Sequence, residues 1–460
     1  MKRIYGILSV ILILATVFGA VVSMGDEDTT PQVTPTATVT DVPQTDEGKK
    51  ELASLDKVKS AVLYDVESMT RIYSKAGNDE TYPAVTGKMM VALVVIEALS
   101  EELDTTVSVP ASIASIQKGA HMELVGKEVI SVYDLLAGLI MNNSNDAAYT
   151  LALHVAGSES EFVKRMNERA KALGMNNTRY VGVTDADETG AYTTAEDVVK
   201  LARVLIENRI YKEISSKTVY TIPKTNKKGE RKLYTRNYLL SKQIYPNYYM
   251  SQATGLCAGS SIMGGYCAVS TARLEDREYL CVVMTAQGSI AEGFYNLIAA
   301  KELLLWGSDK YAYRTLIDSS KIMGEIKVRL SEEYDWVGVI PRGEIKHFML
   351  KSLKTEDVVK YESQIFYDVL TAPVKDGEVV GEVKVYCEGA LVGSLPLVTR
   401  RGLGQSRTES FLKVLGNIIT SKAMTLGVAS VVGVLIIGIL GKSVWLYRKK
   451  IRIEIEYEKQ

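Results

Sequence analysis

Tyr82-Pro-Ala-Val-Thr-Gly-Lys-Met-Met90, running on into Val-Ala-Leu-Val-Val-Ile-Glu-Ala-Leu99, is the stretch on which the fold turns. From Val85 to Leu99 it reads as a strongly apolar helix. Residues three apart on a helix share a face, so position 85 and Lys88 stand side by side near its start. Outward from this helix the periodicity changes in a regular way. Before it, Ser60 to Tyr64 and Arg71 to Ser74 read as two strands around a turn at Glu67-Ser68-Met69-Thr70. After it, Val132 to Val155 contains a pair of helical turns, while Glu159 to Leu173 and Thr194 to Ile206 are amphipathic helices. Strands return at Gly265 to Ala272 and Glu278 to Thr285, and a helix at Ala291 to Leu305 closes an α/β (α+β) region. From Ile322 to Val398 short alternating segments with glycine-containing turns predict a small β-sandwich domain.

The two ends place the chain at a membrane. Lys2-Arg3 followed by an apolar run from Ile4 to Val22 gives residues 1–24 the pattern of a signal peptide or an uncleaved signal anchor. Residues 25–50 form a Thr/Pro-rich linker with no apolar period. An uncharged stretch over 423–441 is near the length needed to cross a bilayer, and Trp445, Tyr447, Arg448, Lys449, Lys450 and Arg452 behind it predict a cytoplasmic tail at 442–460. Phe411, Leu412, Val414, Leu415, Ile418 and Ile419 recur at helical spacing, so 406–422 is an amphipathic segment on the membrane surface or an extension of the span. The middle of the chain, from about 25 to 420, then lies outside the membrane, divided into domains at 51–307 and 308–405.

Composition removes several function classes. The 460 residues carry 54 Lys and Arg against 55 Asp and Glu, which lacks the basic excess that phosphate contacts of a nucleic-acid binder need. Four cysteines without CxxC spacing and three scattered histidines give neither a zinc site nor a His-based triad, so no metal and no cofactor is expected. Cys267 and Cys281 fall on neighbouring predicted strands and read as packed thiols in preference to a bridge.

Four segments, in order, carry a family resemblance: Tyr82 to Met90, Asn143-Ser-Asn-Asp-Ala-Ala148, Gly157 to Thr178, and Ala253-Thr-Gly255 with Gly264 to Ser270. Together they resemble the low-molecular-weight penicillin-binding proteins, the serine-type D-alanyl-D-alanine carboxypeptidases. The likeness runs from about Leu52 to Leu305 and continues through Ile340-Pro-Arg-Gly343 and Ala372 to Glu382 into that family's C-terminal β-domain. It implies a β-lactamase-like transpeptidase fold, a β-domain and a C-terminal transmembrane helix, acting on peptidoglycan.

Such enzymes use SxxK, SxN and KTG motifs around one cleft. Carried onto this chain, the lysine of the first motif is Lys88, and the nucleophile position holds Val85, which has no nucleophilic atom. The second motif becomes Asn143-Ser144-Asn145 and the third Ala253-Thr254-Gly255. Lys88, Asn145, Thr254 and Gly255 keep the family's residue types, whereas Val85, Asn143 and Ala253 depart from them. Main-chain donors at Val85 and near Cys257 would survive such changes, leaving a place for a peptide carbonyl. Thr86 points to a different helix face from Val85, and Ser144 would need a shift of its loop to serve as nucleophile. Lys88 also has a plainer reading, as a buried residue hydrogen-bonded to Asn145. The resemblance therefore implies a degenerate, inactive member that binds a peptidoglycan stem peptide or a cell-envelope protein. The competing reading is an active carboxypeptidase trimming pentapeptides. The glycine-rich run from Gly255 to Gly265 is expected as a loop.

Overall fold

The computed structural model describes residues 52–116, 119–184, 189–419 and 422–457. The expected signal segment and linker lie outside the described residues.

Strands β1 (Val58–Asp65) and β2 (Arg71–Lys75) form a hairpin around the expected turn, where the Asp65 carboxylate accepts the Ser68 N–H and hydroxyl. Two short pairs follow in the chain, β3 (Thr106–Ser108) with β4 (Val129–Ser131) and β5 (Val219–Ile222) with β6 (Arg231–Tyr234). Then come β7 (Ala253–Ser261), β8 (Gly265–Leu274) and β9 (Arg277–Ala286). The main sheet is antiparallel, in the order β2-β1-β9-β8-β7.

Both faces of this sheet are buried, and the alternation of strand side chains decides which layer each residue joins. Val62, Leu280, Val282 and Met284 face a helical layer, while Ala61, Leu63, Cys281 and Val283 face the opposite side. The helical layer holds α1 (Thr86–Leu99), α2 (Val132–Asn142), α3 (Asn145–Ala156), α4 (Glu159–Ala172), α5 (Ala195–Glu207) and α6 (Arg209–Ser215). The strongly apolar α1 is its centre and is buried nearly all round, which is what an apolar run without a polar stripe demands. The α2 and α3 helices correspond to the pair of helical turns expected over 132–155, and they part at Asn143, which takes a left-handed conformation (φ 56°) that asparagine tolerates better than most residues. A hairpin of β10 (Gly288–Ser289) and β11 (Gly293–Phe294) leads into α7 (Tyr295–Lys310), which covers the other face. Gly307 lets α7 approach closely, since a methyl there would overlap the Leu63 side chain.

Residues 253–265 correct one expectation. Most of the glycine-rich run is strand β7, paired with β8 from Ala253 to Ser261, and only 262–264 turns. Small residues stand there because the strand edge is pressed against α1 and α6, as shown below.

The second domain begins with β12 (Tyr311–Ile317), which follows α7 with no intervening residue. It pairs with β15 (Ile345–Leu350); neither strand is anticipated by the sequence reading. The remaining strands are β13 (Gly324–Arg329), β14 (Trp336–Pro341), β16 (Val359–Ile365), β17 (Val369–Thr371), β18 (Val379–Cys387) and β19 (Ala390–Thr399). They form a six-stranded sheet in the order β16-β18-β19-β14-β13-β17. Leu316, Ile317 and Met349 of the small sheet pack with Val339, Val383 and Val385 of the large one in a shared core, so the domain is two-layered. Beyond it, α8 (Arg407–Ile419) occupies the amphipathic segment, with Phe411, Leu412 and Val414 exposed. Helix α9 (Lys422–Tyr457) is continuous, and Ala429–Lys449 within it is long and apolar enough to cross a membrane. The helix thus runs past the expected boundary at 441, because Lys442 and the basic residues behind it are good helix formers.

Candidate functional site

Four of the residues singled out by sequence meet at one place. Val85 caps the N-terminus of α1, preceded by Ala84 in a left-handed conformation (φ 47°) that a residue with a Cβ adopts only under strain. Lys88, one turn on, is buried, and its Nζ donates to the Asn143 carbonyl at 2.5 Å. The plainer reading of Lys88 named Asn145 as its partner; the Asn143 main chain is a partner in the structure. The side chain of Asn143 reaches the neighbouring strand, where Nδ2 donates to the Ala258 carbonyl at 2.7 Å. Cys257 on β7 completes the group, its Sγ 3.8 Å from the Val85 carbonyl and 3.6 Å from Asn143 Oδ1. Burial pushes the Cys257 thiol up to about 12; Lys88 opposes the shift and Cys267 adds to it.

This place is packed shut. Val85 is 1% exposed, Lys88 2%, Asn143 3% and Cys257 4%. Gly259, which the sequence reading did not single out, closes it from the strand side. A methyl on its Cα would lie 2.5 Å from Asn143 Nδ2 and 2.8 Å from Val85 Cγ1. The Val85 side chain and the Asn143 amide therefore fill the gap between the start of α1 and β7. The Val85 carbonyl faces the Cys257 thiol within this packing.

The other expected residues stand around the cluster. Asn145 begins α3 and is buried, its N–H donating to the Ala120 carbonyl at 2.7 Å. Thr254 is engaged across the sheet with Thr271 Oγ1 at 2.7 Å and Glu278 Oε1 at 3.3 Å. Gly255 packs its Cα towards Ser215 of α6, and Ala253 is half-buried at the start of β7. Ser144 Oγ accepts from Asn142 Nδ2, and the Thr86 hydroxyl donates to the Pro83 carbonyl. A second residue missed from sequence is Asp146. Its buried carboxylate accepts N–H groups from Met122 and Leu124 and so holds the 120–124 segment against the start of α3. Among the described residues there is no cluster of His, Cys, Asp and Glu able to hold a metal, and all four cysteines are free and buried.

Comparison with known proteins decides the family. The profile described as D-alanyl-D-alanine carboxypeptidase matches residues 48–288, and that of the penicillin-binding protein 5 C-terminal domain matches residues 313–404. The chain belongs to the D-alanyl-D-alanine carboxypeptidase family. Among curated members, DacF of Bacillus subtilis is 24% identical over 80% of this chain and 91% of its own length. DacD of Escherichia coli is 27% identical over 73% and 85%. The D-alanyl-D-alanine endopeptidase of E. coli is 30% identical over 57% and 78%. Solved structures of the same fold include penicillin-binding protein 5 of Haemophilus influenzae, with a TM-score of 0.55 and 24% identity, covering 76% of this chain and 98% of that one. Penicillin-binding protein 6B of E. coli gives 0.56 and 23%, covering 75% and 95%. The carboxypeptidase family's two-domain order, an α/β transpeptidase domain followed by a β-rich domain, is thus the order of this chain.

Proposed function

We propose that this chain is a membrane-anchored, extracytoplasmic member of the carboxypeptidase family that no longer performs acyl transfer. In this reading it serves as a binding or scaffolding protein at the cell wall, with a peptidoglycan stem peptide or a cell-envelope protein as partner. The observation that carries the reading is the packing of Val85. At the helix start where the family places its serine, a valine side chain is buried against Gly259 and Asn143 and offers no nucleophilic atom. Loss of the nucleophile in a serine hydrolase removes about six orders of magnitude of turnover, and no acyl-enzyme can form on a valine. Ala253, where the family motif begins with lysine, supplies no cation for a terminal carboxylate. The span at Ala429–Lys449, with Lys442, Arg448 and Lys449 towards its C-terminal end, supports an anchor whose basic end faces the cytoplasm.

The competing reading, an active carboxypeptidase, needs another nucleophile. The nearby hydroxyls of Thr86 and Ser144 are engaged with Pro83 and Asn142, and the Cys257 thiol is held protonated by burial. The two readings separate in one experiment. The full-length protein in detergent is incubated with a fluorescent β-lactam and examined by intact mass, and D-alanine release from a pentapeptide is measured alongside. Neither adduct nor release is expected; a covalent adduct on the wild-type chain overturns the proposal. The variant Val85→Ser with Ala253→Lys is expected to gain acylation.

A further inference from the structure

The second domain carries a feature that the cleft does not explain. An open groove of about 660 Å³ lies between β12, the 321 turn and β16, lined by Arg314, Lys321, Lys354, Thr355, Glu356, Val359 and Tyr361. Three cations therefore face one carboxylate. The carboxylates closest in sequence, Asp318 and Asp357, do not line it, and Asp318 is turned to the Ser320 N–H and hydroxyl.

The three cations are held differently. Arg314 is fixed in the groove wall, its Nη1 and Nη2 donating to the carbonyls of Leu353 and Lys351 at 2.9 and 3.0 Å. Lys321 is poised over the Tyr361 ring with Nζ 3.5 Å from the centroid, while the Tyr361 hydroxyl is anchored to the Leu316 carbonyl. Lys321 and Lys354 have no carboxylate partner among the described residues. Against the single Glu356 carboxylate the lining keeps an excess of positive charge on a concave surface, where field lines concentrate.

From this arrangement we propose that the groove binds a phosphate-bearing polymer, independently of whatever occupies the cleft. The choice of phosphate over carboxylate follows from the donors. Arg314 uses one proton of Nη1 and one of Nη2 on main-chain carbonyls, which fixes its guanidinium in the wall and leaves three of its five N–H donors for an anion. With two lysine ammonium groups and the Thr355 hydroxyl, the lining supplies donors of three kinds around one concavity, which a tetrahedral phosphate with oxygens spread in three dimensions engages more fully than a planar carboxylate. A groove of this volume exceeds a single phosphate and suits successive units of a chain.

The test uses the full-length protein in detergent, titrated by fluorescence anisotropy with labelled long-chain polyphosphate. Binding is expected, falling roughly twentyfold from 50 to 200 mM salt if about three phosphates are neutralised at the single-strand slope. Lys321→Gln with Lys354→Gln should weaken it at least tenfold without moving the thermal midpoint, both side chains being exposed. Unlabelled polyphosphate should compete far better than inorganic phosphate. Three results overturn the proposal: absence of polyphosphate binding, binding unchanged in the double variant, or equal competition by poly-L-glutamate, which would assign the groove to acidic protein segments.

Discussion

Substituting Gly259 by alanine probes the closed cleft most directly. The new Cβ would sit 2.5 Å from Asn143 Nδ2, 2.8 Å from Val85 Cγ1 and 3.5 Å from Val85 Cβ. Comfortable contacts between such atoms lie at about 3.5–4.0 Å, so the amide and the methyl must both withdraw. The Asn143 amide can retreat only by releasing the Ala258 carbonyl, an acceptor 2.7 Å away on the strand that carries the new methyl. Overpacking a filled core costs about 1–3 kcal/mol, and stranding a buried polar group costs about 1–3 kcal/mol more. A total of about 2–6 kcal/mol in a domain of this size lowers the thermal midpoint by roughly 4–24 °C. Circular dichroism melts of the detergent-solubilised chain read this directly. The double variant Gly259→Ala with Val85→Ala supplies the internal check, because removing the Val85 methyls relieves part of the overlap. The pair should be more stable than the sum of the single effects by about 0.5–3 kcal/mol, the range found for residues in contact. A Gly259→Ala midpoint indistinguishable from wild type, or strict additivity in the double variant, would refute the closed packing and reinstate an open cleft.

Three further outcomes are expected. Asp146→Ala deprives the Met122 and Leu124 N–H groups of a charged acceptor, and should cost at least about 3 kcal/mol in thermal stability while raising proteolysis in the 119–124 region. Arg277→Met leaves the fully buried Asp65 carboxylate without its cation, and a loss of about 3–5 kcal/mol is expected on chemical denaturation; a neutral effect would contradict the buried pairing. Stability should also fall on the alkaline side. The folded Cys257 thiol stays protonated up to about 12, whereas the unfolded thiol releases its proton from about 8.5. Between those values the native state holds more protons, so each pH unit removes about 1.4 kcal/mol per such thiol. Cys257→Ala should flatten the midpoint-versus-pH curve between pH 9 and 11, and an unaltered slope would show that the thiol is not held as described.

The parts of the fold legible in the sequence are those written in strong periods. The α1 helix is legible because an apolar run of that length has few other homes, and β8 and β9 because apolar residues fill both faces of a central strand. Strand β7 was misread because Gly255, Gly259 and the Ser260-Ser261 pair have the composition of a loop. Their smallness answers a neighbour from a remote part of the chain, which no local pattern records. Strand β12 escaped for another reason: it follows α7 without a breaker residue, so nothing marks the change of period. The proposed departures from the family motifs at Val85, Asn143 and Ala253 rest on the sequence alone. That Val85 and Asn143 close the site together depends on Gly259, and only the fold brings these three into contact.

The direct passage from α7 into β12 has a mechanical meaning. Tyr311 and Phe348, from the paired strands of the second domain, are packed in the core beneath the first domain's sheet. Arg277, at the β8–β9 turn end of that sheet, reaches over the Tyr313 ring at 4.2 Å and lies 5.3 Å from the Phe348 centroid while gripping Asp65. A tether pulling on the C-terminal end of the second domain therefore meets no slack between the domains. The force enters the β-domain, passes along β12, and arrives at the five-stranded sheet through a helix and a guanidinium clamp. Such a joint behaves as a strut, and it would transmit tension on the second domain to the first instead of letting it swing.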